Sequence, residues 1–476
     1  MRILLVKPKA RLGPIRGLQR FQRLEPIELG YLAASVPPGH EIHVVDLRLA
    51  RFADLAFRRE LARFRPDLVA LTGYTHEGSI VRQLTRVVRA KLPGANVVVG
   101  GHHATVAPED YNVESIDAIV RGEGCVPFRE IVNALAAGRD LLGIPGVLVP
   151  GRDYDERGAH GFPPFPDPAI LPTPRRDLWD YRDYTCVWAA ENQQARTLLF
   201  PPTSMVRTSF GCRMNCSFCI VPTLYGGQHR PRPVNSVVDE IASLPTEHVY
   251  FCDDENFIDE DFAFELAAAL EARGVKKRYF AWTRSTTVNR QPELFRRWRE
   301  IGLDAAFLGF EFPSDEQLKK VKKGATVADN DRAHVKLREL GIAVHAALML
   351  MPESSHEDFE SLRQYVKAMP PAQCSFTVCT PSPGTAAYDE MKPKIWVDNP
   401  HDLHDCMHPL TPTKMPLREF CKLYARQLWE SNAKNPLRAQ KLSIPVREIV
   451  RVSNATIRTY RAYRDIYKDY PRELWD

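Results

Sequence analysis

Runs of apolar residues recur along this chain, and most of them end in glycine, threonine or a carboxylate. Ile3-Leu4-Leu5-Val6 is the first, followed by Val44-Val45-Asp46, Leu68-Val69-Ala70-Leu71-Thr72-Gly73 and Val97-Val98-Val99-Gly100-Gly101. A strand without polar alternation has to be covered on both faces, which is the property of a parallel sheet flanked by helices. Between these runs, residues 80–91 set Ile80, Leu84, Val87 and Val88 at helical spacing. The same alternation resumes after residue 204. The expected fold is therefore α/β: an N-terminal doubly wound, Rossmann-like unit over 1–148, a linker over 149–203, a partial (β/α) barrel of the TIM type over 204–395 and a C-terminal helical region over 396–476. A length of 476 residues accommodates two or three such units.

Charge is uneven. The net charge is +5, and residues 431–476 carry ten Lys/Arg against five Asp/Glu, so the remainder is neutral. That balance argues against nucleic acid as a partner. No apolar run approaches the ~18 residues that cross a bilayer. The start, Met1-Arg2-Ile3-Leu4-Leu5-Val6, runs straight into a strand pattern, and the ten cysteines fit metal or redox use in a reducing cytoplasm.

The densest chemistry lies in Ser209-Phe210-Gly211-Cys212-Arg213-Met214-Asn215-Cys216-Ser217-Phe218-Cys219. Three thiols at C-x-x-x-C-x-x-C spacing in a glycine-led loop form a soft-metal or iron–sulfur ligand set. A closed zinc site wants four ligands, and His229 or Cys252 is the candidate to complete one. Three thiolates on a four-iron cluster instead leave one iron open.

This loop, with an aromatic residue before its last cysteine, resembles the signature of the radical S-adenosylmethionine (radical SAM) enzymes. The resemblance implies that Cys212, Cys216 and Cys219 ligate a 4Fe-4S cluster whose fourth iron chelates S-adenosyl-L-methionine. It also implies an electron donor of the flavodoxin or ferredoxin type, and a 5′-deoxyadenosyl radical as the reactive product of reduction. Later runs match the same pattern. Asp253, Asp254 and Glu255 end a strand and are candidates for the methionyl amino group, or else cap the next helix. Arg284, at the polar end of a strand expected over residues 280–286, suits a carboxylate because a guanidinium grips it with two bonds. Glu311 corresponds to the family's glycine–glutamate strand and is expected near the cofactor's sugar hydroxyls.

In the first unit, the strand ends Thr72-Gly73, Gly100-Gly101-His102-His103 and Gly122-Glu123-Gly124 resemble the cobalamin-binding domain fused to the front of one large radical SAM class. No D-x-H-x-x-G run is present, so no histidine is evidently placed beneath the cobalt; His102 and His103 read as backbone or phosphate contacts, or as cobalt ligands. The combined resemblance implies methyl transfer to an unactivated carbon by a class B radical SAM methyltransferase. The loop continuing Ile220-Val221-Pro222 and then Tyr225-Gly226-Gly227 is similar to that of the hopanoid C-3 methylases, which implies a lipid substrate. A radical SAM cyclase or oxidase would share every motif, and a zinc-binding adaptor is the alternative outside enzymes. Two readings remain open for the tail, where Ile457, Tyr460, Tyr463, Tyr467 and Tyr470 recur at helical spacing beside Arg458, Arg461, Arg464 and Lys468. It either touches the inner face of a membrane or packs its tyrosines on the barrel.

Overall fold

The computed structural model describes residues 1–10, 13–15, 22–152, 163–188, 200–369, 373–432 and 446–476. Much of the Pro/Gly-rich part of the linker, and Lys434, Arg438 and Lys441 of the basic tail, lie outside the described residues.

Six strands build the first sheet: β1 (Arg2–Lys7), β2 (Glu41–Asp46), β3 (Leu68–Thr72), β4 (Asn96–Gly100), β5 (Ala118–Val120) and β6 (Val147–Leu148). Their spatial order is β2-β1-β3-β4-β5-β6, with β1 to β5 parallel and β6 antiparallel at the edge. The apolar runs bury both faces: Leu4, Val6, Val69 and Val97 pack into one helical layer, and Ile3, Leu5, Leu68 and Val98 into the other. The antiparallel edge strand is too short to carry a pattern of its own in the sequence.

The second sheet follows from β7 (Thr203–Val206). A two-residue ladder, β8 (Ser209–Phe210) with β9 (Arg230–Pro231), flanks the cysteine loop. Then come β10 (His248–Phe251), β11 (Arg278–Thr283), β12 (Leu303–Glu311), β13 (Ala343–Leu350) and β14 (Gln373–Val378). All six large strands are parallel in the order β14-β13-β12-β11-β10-β7, an open half-barrel. Alternate side chains sort by face. Val249, Phe251, Tyr279, Ala281, Leu308 and Val344 pack under the outer helices. Tyr250, Phe280, Trp282 and Phe307 line the inside. The strand expected over residues 280–286 stops at Thr283, because Ser285–Arg290 turns into helix.

The described part of the linker is a strap. Trp188 is completely buried at the inner end of the half-barrel, where its Nε1 donates to Asp304 at 2.8 Å. Of the tail stripe, Tyr463, Tyr467 and Tyr470 are buried in the barrel's outer core, while Ile457 remains 38% exposed. Among the described residues no helix is long and apolar enough to cross a membrane.

Candidate active site

The cysteine loop starts where β7 ends, and two acids at the end of β10 fix its course. Asp253 is buried; its Oδ1 accepts from the backbone N–H of Thr208 (2.7 Å) and Ser209 (3.0 Å), and its Oδ2 from Thr208 Oγ1 (2.5 Å) and from Asn256. Burial pushes this carboxyl up to about 6 even though those donors oppose the rise. Asp254 Oδ2 accepts from Gly211 N (2.9 Å) and pairs with Arg207 (2.6 Å). Gly211 has φ +83°, and a Cβ there would run into the Gln228 carbonyl, so the turn requires glycine. Further along, Ser217 N donates to Val321 O and Ala387 N to Ser217 O, each at 3.1 Å. Asp253 and Asp254 thus both brace the loop.

Cys216 is buried, and Cys212 and Cys219 are half-buried. Burial raises the Cys212 thiol and pushes Cys219 up to about 12. Ionised sulfur here requires a positive partner. Arg284 Nη1, 3.7 Å from Cys216 Sγ, is one; bound iron is the other that this donor set fits. The three sulfurs are not gathered within 4.8 Å of one another, the closeness a single clamped ion demands.

Beside the loop lie an orphaned acceptor and an orphaned donor. Glu255 is 1% exposed; its Oε1 accepts from Thr283 Oγ1 (2.8 Å) and Arg284 N (3.4 Å), while Oε2 is buried without a close partner. Burial pushes its carboxyl up to about 7. Arg284 Nη2 donates to Lys323 O, and its Nε has no partner. A ligand bearing both an ammonium and a carboxylate would satisfy the two, which is the amino-acid end of S-adenosylmethionine.

Glu311 ends β12 at a register shift after Gly309, with φ +59°. Lys323 Nζ pairs with its Oε1 at 2.6 Å, both groups nearly buried, and a Cβ on Gly309 would lie 2.6 Å from that Nζ. Sequence reasoning missed Lys323. The available signal was a Lys-Lys-Gly turn following a buried acid that needed a counter-charge.

In the first unit the ends of β3, β4 and β5 converge. Gly101 (φ +92°) packs directly on Thr72 and Gly73, and Gly122 (φ +75°) donates its N–H to Thr105 Oγ1 at 3.0 Å. Gly100 and Gly124 similarly leave room for Val120 and Leu32. Glu123 caps the helix Cys125–Ala136, accepting from Cys125 N (2.6 Å) and Val126 N (3.2 Å). His102 Nδ1 is buried and unpartnered, and burial, with His404, His103 and His76 nearby, pushes this imidazole down to about 4. It is neutral at physiological pH.

Tyr74, just after β3, is 53% exposed; Lys7 Nζ lies 4.9 Å from its ring centroid, and its ring stands 5.8 Å from that of His102. Arg207, Tyr225 and Tyr250 of the second unit lie within electrostatic range of Tyr74. Tyr74 and His102, whose buried Nδ1 lacks a partner, stand at these strand ends toward Arg207 and Tyr225 and are the groups that would border cobalamin held between the units.

Comparison with known families agrees with this arrangement. The B12 binding domain model matches residues 15–132 and the Radical SAM superfamily model matches residues 206–366. The chain is a radical SAM enzyme of the cobalamin-dependent methyltransferase family, and its cofactors are a 4Fe-4S cluster, S-adenosylmethionine and cobalamin. Among relatives, it is 29% identical to hopanoid C-3 methylase of Methylococcus capsulatus, covering 88% of this chain and 78% of that one. It is 27% identical to the anaerobic magnesium-protoporphyrin IX monomethyl ester cyclase of Cereibacter sphaeroides, over 83% and 64% of the two chains. The methyltransferase TsrM of Kitasatospora setae, solved with cobalamin and a [4Fe-4S] cluster, shares the fold: TM-score 0.65 over 98% of this chain and 99% of that one, at 19% identity.

Proposed function

We propose that the protein methylates an unactivated carbon of an apolar, lipid-class substrate, with C-3 methylation of a hopanoid as the specific reaction. The observation that carries this reading is a juxtaposition: Tyr74, at the strand ends of the first unit, lies within electrostatic range of Arg207 and Tyr225, which flank the cysteine loop that Glu255 and Arg284 adjoin. When bound, the cluster with S-adenosylmethionine supplies a hydrogen-abstracting radical, and cobalamin supplies the methyl group.

In this reading Cys212, Cys216 and Cys219 hold the cluster. Glu255 and Arg284 hold the amino-acid end of S-adenosylmethionine, and Glu311, oriented by Lys323, holds its sugar. Thr72, Gly73, Gly100, Gly101, His102, Gly122 and Gly124 shape the cobalamin seat, with Glu123 fixing the helix behind it. The substrate class rests on the inner wall. Tyr250 stacks on Phe280 at 5.0 Å, Trp282 lies 4.0 Å from Phe307, and Trp282 Nε1 donates to Tyr250 Oη at 2.7 Å. Such a wall excludes water and recognises hydrocarbon. Exposed Trp429 and Ile457 beside exposed Arg458 and Arg461 suit contact with an anionic inner-membrane surface that presents such a lipid. A reductant of the flavodoxin or ferredoxin type completes the system.

The test is anaerobic reconstitution with S-adenosylmethionine, a low-potential reductant and hopanoid. Deoxyadenosine and S-adenosylhomocysteine appearing together, with a product heavier by one methylene, are expected. Deoxyadenosine without S-adenosylhomocysteine would favour the cyclase-type alternative. Cobalamin-loaded enzyme that leaves hopanoids unmethylated would remove the substrate assignment.

A further inference from the structure

Outside the proposed active site, one cluster brings three metal-ligating side chains together from distant parts of the chain. His103 follows β4, Asp110 lies seven residues on, and His401 belongs to the C-terminal region. His103 Nε2 is 3.0 Å and His401 Nδ1 2.7 Å from the same Asp110 Oδ2, and the imidazoles meet edge to face at 5.1 Å. Among the described residues this is the only set of three His, Cys, Asp or Glu whose ligand atoms all lie within 4.8 Å of one another.

We infer that His103, Asp110 and His401 form a divalent transition-metal site, of the zinc class, that ties the C-terminal region to the cobalamin-binding unit. Two imidazoles and one carboxylate make a borderline-soft donor set, suited to zinc and its first-row neighbours and unsuited to calcium or magnesium. One carboxylate oxygen lies against a ring nitrogen of both imidazoles, so three ligand atoms from distant parts of the chain already converge on one point. Room for the His103 ring is built in, because the neighbouring helix begins with Gly78, where a Cβ would stand 2.6 Å from Nε2. His103 is completely buried, but Asp110 and His401 are each about a quarter exposed, which leaves an approach for the ion and a position for water as a further ligand. The opposing charge is Arg82, 3.4 Å from Asp110 Oδ2. Its bond to the Asp110 carbonyl (3.1 Å) gives it another anchor when an ion takes the carboxylate. Glu109, exposed beside Asp110, offsets the added positive charge.

The placement gives such an ion a consequence. His401 lies on the same segment as His404, whose Nε2 is 2.9 Å from Pro381 O and whose imidazole lies near His102. Closing the site would pin that segment beside the end of β4.

The test uses cluster- and cobalamin-loaded enzyme incubated with zinc, desalted and analysed for zinc, iron and cobalt. Wild type is expected to retain one zinc per chain beyond its other metals, with a raised unfolding midpoint in excess zinc. His401→Ala and His401→Gln should both lose the zinc and the midpoint shift while iron and cobalt contents stay unchanged. His401→Gln keeps a donor toward Asp110, so its failure to hold zinc separates metal ligation from simple hydrogen bonding. Wild type retaining no zinc, or His401→Gln retaining it, would overturn the assignment whether or not the methylation reading stands.

Discussion

Glu255 is the side chain whose protonation best reports the state of the site. Its carboxyl sits near pH 7 in the folded chain, against 4.5 for a free one, because burial disfavours the anion. A raised carboxyl stabilises the fold fully below the unfolded value and loses that contribution as pH rises through the folded one. The ligand-free chain should therefore lose about 3 kcal/mol between pH 4.5 and pH 8 from this group alone. Glu255→Gln should flatten that part of the stability profile, and saturating S-adenosylmethionine should restore stability at pH 8 in wild type only. Chemical denaturation at several pH values measures both. At this scale the sequence showed three consecutive acids and no ground to separate them. Only the placement of Thr208, Ser209 and Gly211 N–H groups around Asp253 and Asp254, and their absence from Glu255 Oε2, divides bracing from binding.

At the scale of elements, the helix Val446–Arg464 and the turns after it are held to the barrel through His408. This imidazole lies between Asp405 Oδ2 (2.9 Å) and Asp469 Oδ2 (3.1 Å). Burial alone would lower its pKa, but the two carboxylates outweigh burial and raise it to about 9. Its contribution is complete below pH 6.5 and disappears as pH rises through 9. Docking of the C-terminal turns should loosen above pH 9, seen as faster amide exchange over residues 463–470, and His408→Ala should show that loosening at neutral pH. The helical stripe was legible as a pattern. Which face it offers was not, since tyrosines at helical spacing serve a membrane or a core equally well. The helix Leu417–Asn432, itself packed on β14, and the segment around Trp396 supply the apolar surface: Tyr463 meets Tyr424 at 5.0 Å and Tyr470 meets Trp396 at 6.0 Å.

For the whole molecule, the linker decides how the two units face each other. Arg176 pairs with Glu25 of the first unit (2.5 Å) and Glu240 of the second (2.6 Å), and Glu25 Oε2 also accepts from Met205 N at 2.7 Å. Both carboxylates are almost fully buried. Arg176→Met should cost about 3–5 kcal/mol, because it leaves buried charge uncompensated. The loss should appear as a lower denaturation midpoint and as cobalamin released during gel filtration. Arg232, 2.7 Å from Glu240, moderates the effect on that side.

The sequence by itself determined the α/β alternation, the order of the two units and the three-cysteine loop, because each depends on residues within about a dozen positions of one another. Uninterrupted apolar runs dictate strands buried on both faces wherever they fall, and close thiols announce their chemistry at any depth. The tertiary structure alone decided what depends on distant partners: Arg284 beside Cys216, Trp188 beneath the half-barrel and His401 against Asp110. Those pairings are fixed by how sheets and strap pack, and burial then sets the charge each group can carry, a quantity no local pattern contains.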